Sequence, residues 1–141
     1  VNIFRQQTLY DRPFVIFMKS IYEKLLDDRE SSADTKKVLI RFVFNVVPIE
    51  CRDNKEVRWW WERLAKAVDS FNDDELKQFI ASKLLPAYLM NIFGKYSNTH
   101  NRNAAVSFFQ HVIKNIAKRS NNNNNVDLLD KLLMALIVVI K

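Results

Sequence analysis

Two histidines, one cysteine and a run of three acids carry most of the chemistry open to this 141-residue chain. His100 and His111 are eleven residues apart, with no acid between them to orient either ring. At 100° per residue His111 shares a helical face with Ser107, Lys114 and Lys118, so both histidines are expected at the surface. Cys51 follows Pro48 and has Arg52 beside it, a cation that would lower a thiol pKa. No histidine stands near it in sequence, so a bystander thiol is expected. Asp73, Asp74 and Glu75 carry the charge of a metal site, but they follow Asn72 at a helix start. There an N-cap and the helix dipole account for all four residues. The chain has no Walker A loop, GxGxxG, HExxH, GxSxG or CxxC pattern. It is expected to have no enzyme activity, no cofactor and no metal.

Trp59, Trp60 and Trp61 are the most unusual residues. Three consecutive helical positions point 100° apart, so one apolar face cannot hold them all. Trp60 aligns with Val57, Leu64, Ala67, Val68 and Phe71 and belongs in the core. Trp61 sits at the edge of that stripe, placed to pack under a neighbouring helix. Trp59 falls on the opposite face beside Arg63, Lys66 and Ser70. An exposed tryptophan among cations is typical of an interface hot spot. With Arg58, Arg63 and Lys66 it forms the expected partner-binding site, selecting acidic surfaces. The competing expectation is a cation–π contact with Arg63, or burial against an adjacent hairpin.

Charge is distributed unevenly. Between Glu75 and Asp127 there is no acid but seven bases: Lys77, Lys83, Lys95, Arg102, Lys114, Lys118 and Arg119. The rest of the chain holds 15 bases and 16 acids, so the whole net charge of +6 arises in this segment. Such a bias favours an anionic partner. If segment 76–126 binds nucleic acid, Lys95, Arg102, Lys114, Lys118 and Arg119 should converge on one face, with Tyr96, Asn98, Asn101 and Asn103 adding polar contacts. The bland alternative is a solvated face, or one whose bases meet acids brought in by folding.

The elements that must position these residues are helices. One Gly and three Pro are too few for a β-sandwich or a Gly-rich phosphate loop. One Cys excludes an internal disulfide. Pro13 opens a helix running to Leu26, and Asp27 to Asp34 form a loop in which Ser32 or Asp34 caps a second helix ending at Pro48. A third helix spans Asn54 to Ser70. A fourth starts after Asn72, is kinked or split by Pro86 and ends at Gly94. A fifth runs from Asn103 to Arg119, and the last from Asp127 onward, after a solvated loop at Asn121 to Asn125. Leu132 to Ile140 is apolar nearly all round, so that helix must be central or covered by further chain. It is too short for a membrane span.

Helix pairs beginning near residues 12, 56 and 102 recur about every 45 residues, the period of HEAT or armadillo stacks. The expected fold is therefore all-α, with antiparallel hairpins stacked in a right-handed HEAT/armadillo-like superhelix. The rival arrangement is a compact six- or seven-helix bundle. Residues 1–141 are expected to form a single domain, a piece of a larger protein. The expected function is a non-catalytic scaffold or adaptor binding another protein or an acidic peptide within a multi-subunit assembly. An intracellular setting, cytoplasm or nucleus, follows. The alternative is an RNA- or DNA-binding domain using segment 76–126.

Overall fold

The computed structural model describes residues 13, 15–24, 32–94, 98–119 and 123–140. Leu26, most of the loop after it, Lys95 and Tyr96 lie outside them. Among the described residues there is no strand, and the chain is all-α. The helices are α1 (15–24), α2 (Ala33–Asn45), α3 (Val47–Glu50), α4 (Asn54–Asp69), α5 (Asp73–Ile80), α6 (Leu85–Phe93), α7 (Thr99–Lys118) and α8 (Asn123–Ile140).

Short polar side chains set the helix starts. Ser32 caps α2 by accepting from the Thr35 N–H at 3.2 Å. Asn72 and Glu75 form a reciprocal capping box on α5. Asn98 caps α7, so that helix begins at Thr99, four residues before the expected Asn103. Pro48 does not close a helix as expected, because α2 already ends at Asn45. Pro48 and Pro86 each sit in the first turn of a new helix, α3 and α6, where a missing N–H costs nothing. Pro86 thus splits the fourth expected helix into α5 and α6.

Gly94 ends α6 with φ −70° rather than in the left-handed form. Its need for glycine is steric, because a Cβ there would collide with the Met90 carbonyl oxygen. α8 starts at Asn123, so the backbone of Asn123 to Asn125 is helical rather than a loop. Asparagine is favoured where a helix begins.

Tyr22 of α1 meets Trp60 of α4 edge-on at 5.4 Å, and α4 packs along α7. α2 packs on α6, and α6 on α8. α2 also packs on α4, and α8 on α5 and α7. Phe44 of α2 lies at the junction, ringed by Trp61 at 5.1 Å, Tyr88 at 5.2 Å, Phe109 at 6.2 Å and Phe108 at 6.3 Å. Of the apolar arc on α2, Leu39, Ile40, Phe42, Val43 and Phe44 are buried, while Val38 is exposed. α8 buries Leu128 and Leu132 and leaves Met134, Ile137 and Val138 exposed. One side of that apolar helix is covered and the other is open.

Candidate functional site

The tryptophan triplet divides among three environments. Trp60 is fully buried and rests on Phe42 at 4.5 Å. Trp61 is also buried, and its Nε1–H donates to Asn101 Oδ1 of α7 at 3.1 Å. Trp59 is half-buried rather than exposed, because α1 covers it. Lys19 Nζ lies 4.7 Å from its ring centroid and the Arg63 guanidinium 5.2 Å, while its edge meets Trp60 at 4.9 Å. Trp59 and Arg63 therefore form an intramolecular cation–π cluster with Lys19. Lys66 is exposed. Arg58 stands about 100° from Trp59 around α4 and lines a groove that Trp59, Arg63 and Lys66 do not line.

That groove is open, has a volume of about 340 Å3 and lies between α4 and α7, floored by Trp61 and Phe108 and rimmed by Arg58, Glu62 and His100. His111 lines it too, and its Nε2–H donates to Asp69 Oδ1 at 2.7 Å. Sequence reading missed this acid, which arrives from α4 through folding. Ser107 lies one turn before His111, but no hydrogen bond joins the two in the structure.

The acid-free segment meets acids in the same way. Arg119 Nη1 donates to Asp73 at 3.2 Å, its Nη2 to the Val68 carbonyl at 3.1 Å and its Nε to Asn115 Oδ1. It fastens the end of α7 to α4 and α5. Arg102, Lys114 and Lys118 are exposed, but Arg102 and Lys118 lie about 160° apart around α7 at 100° per residue. Lys95 lies outside the described residues. Of the asparagines expected near phosphate, Asn101 is fully buried, Asn98 is a cap and Asn103 is exposed.

A second groove, of about 300 Å3, lies between α2, α5 and the start of α6. Its floor includes Ile40, Phe79 and Tyr88, and Lys37 and Arg41 rim one side. Lys36 pairs with Glu75 at 3.0 Å inside it. Sequence reading passed over this site. Its signal was the basic pair Lys37 and Arg41, one helical turn apart and flanking Ile40.

Glu75 is held below the usual carboxylate range. Partial burial alone would raise it, but the Asn72 N–H, Lys36 and Arg119 outweigh that. A depressed carboxyl contributes stability that is complete above its unfolded value and lost as pH falls through the folded one. The stability gap between the native chain and Glu75→Gln is therefore expected to be constant above about pH 5 and to shrink below it. Urea midpoints across that range provide the check, and a gap independent of pH would contradict it.

Cys51 is fully buried, and burial together with Glu56 and Glu50 pushes its thiol up to about 12. A thiol reagent at neutral pH is expected to label it only after denaturation. Rapid labelling of the native chain would show an open thiol. Asp73 and Glu75 are engaged in pairing and capping, and among the described residues no three His, Cys, Asp or Glu side chains gather as metal ligands. No helix among them is long and apolar enough to cross a membrane.

Comparison with protein-family models, with curated proteins and with solved structures finds no match.

Proposed function

We propose that this chain is a non-catalytic helical scaffold whose hairpins stack as a HEAT/armadillo-like superhelix and whose surface binds another protein within a larger assembly. The observation that carries the reading is where the two grooves fall. One lies between α4 and α7, first members of successive hairpins; the other lies between α2 and the α5–α6 pair, second members. Each has an aromatic floor and a charged rim, the composition that recognises a protein segment. Stacked helix pairs offer such grooves because each pair contacts only its neighbours along the array.

The alternative, nucleic-acid binding through segment 76–126, draws its support from exposed Arg102, Lys114 and Lys118. Affinity capture with and without nuclease separates the two. The scaffold reading expects protein partners that survive nuclease and depend weakly on salt. Recovery lost with nuclease, and falling steeply as salt rises, would overturn it in favour of the alternative.

A further inference from the structure

We propose that the groove between α2, α5 and α6 is a docking site for an acidic peptide segment bearing one apolar side chain. This deepens the scaffold reading and rests on it.

Charge selects the class of ligand. Lys37 and Arg41 are exposed on α2, and neither forms an ion pair among the described residues. The acid in the groove, Glu75, is already held by Lys36 at 3.0 Å. An incoming carboxylate thus meets two unpaired cations and no unpaired anion. A basic segment would meet the reverse.

The floor selects the rest. Ile40 and Phe79 present apolar edges, and Leu84 at the rim is 47% exposed. A volume of about 300 Å3 is at the small end for a ligand site, and suits one large apolar side chain. Tyr88 adds a directional group. It is only 7% exposed and its ring stacks on Phe44 at 5.2 Å, yet its hydroxyl has no hydrogen-bond partner among the described residues. Tyr88 lines the groove, and its oxygen is not among the fully enclosed unpartnered atoms. A buried phenol normally finds a partner. A peptide carbonyl or carboxylate laid across the floor would supply one.

Spacing gives the pattern. Lys37 and Arg41 are separated by about 6 Å along α2, and alternate side chains of an extended peptide project from one face about 6.6 Å apart. Two acids at alternate positions therefore reach both cations, and an apolar residue two positions further on the same face reaches the floor.

The test uses a fluorescein-labelled peptide containing Glu-Ser-Glu-Ser-Leu and reads anisotropy against the whole 141-residue chain. The controls are Lys-Ser-Lys-Ser-Leu and Glu-Ser-Glu-Ser-Ser. The first peptide is expected to bind at least about tenfold tighter than either control. Lys37→Glu with Arg41→Glu, both at exposed positions, is expected to remove that preference while leaving the circular dichroism spectrum unchanged. Tyr88→Phe keeps the stacked ring and is expected to weaken binding about fivefold. Lys114→Glu with Lys118→Glu is expected to change nothing.

Equal binding of the acidic and basic peptides would overturn the site. So would equal losses from the two charge reversals, or displacement of the probe by duplex DNA. If the peptide fails while nuclease-resistant partners are still captured, the groove proposal falls and the scaffold reading stands. If capture fails as well, both fall.

Discussion

Trp60→Ala is expected to cost about 3–5 kcal/mol of stability, the usual range for deleting a large core aromatic. The ring is fully buried where three helices meet, against Phe42 of α2 at 4.5 Å, Tyr22 of α1 at 5.4 Å and Trp59 of α4 at 4.9 Å. A domain of this size holds about 5–15 kcal/mol in total, so the variant should sit near the edge of folding. Trp60→Phe is expected to be much milder, for a reason beyond size. Trp60 Nε1 is buried without a hydrogen-bond partner among the described residues, and the substitution removes that donor together with the lost volume. Trp59→Ala should cost less than Trp60→Ala, because Trp59 is half-buried and held mainly by Lys19 and Arg63. Urea unfolding of the three variants gives the ranking. Equal losses at Trp59 and Trp60 would make Trp59 a core residue and remove it from any partner surface.

The triplet shows how far a single sequence reaches. Helical phase alone puts Trp60 in the core and Trp61 under a neighbour, because both predictions depend only on the chain's own periodicity. Trp59 needed knowledge of what lies opposite its face. Its cover comes from α1, forty residues earlier at Lys19, and no local pattern encodes that. The same boundary separates helix starts from helix ends. Ser32, Asn72 and their bonded N–H groups are neighbours in sequence, so those caps were legible. Pro48 was read as a helix end, although proline is equally compatible with the first turn of a new helix, whereas the split at Pro86 was legible.

Charge was legible as composition and not as geometry. Seven bases without a local acid suggested an anionic partner, but folding sets Asp69 beside His111 and Asp73 beside Arg119. Both acids come from the α4–α5 corner. The basic end of α7 is thereby partly neutralised by a contact more than 40 residues away in sequence, which also pins α7 in place. The unpaired cations also include Lys37 and Arg41, which lie outside the acid-free segment in a stretch of unremarkable net charge. A window of sequence sums charge along the chain. A ligand samples it across helices.

The join between α4 and α7 makes the second large effect. Trp61→Ala is expected to cost about 3–5 kcal/mol, because its buried ring meets Phe44 at 5.1 Å and Phe108 at 5.4 Å. Polar chemistry adds a separable part. Trp61 Nε1–H donates to Asn101, the one buried polar residue among those described, at 3.1 Å. Asn101→Ala leaves that N–H enclosed with no acceptor, at a cost of about 1–3 kcal/mol. Trp61→Phe leaves Asn101 Oδ1 stranded, beside an Nδ2 that already lacks a partner. Changing both, as Trp61→Phe with Asn101→Leu, removes donor and acceptor together, so no polar atom is left stranded. The double variant should then be more stable than the sum of its single changes allows, by about 0.5–3 kcal/mol. Simple additivity in that cycle would mean that water reaches the seam, and the hydrogen bond would then hold α4 to α7 no better than solvent does.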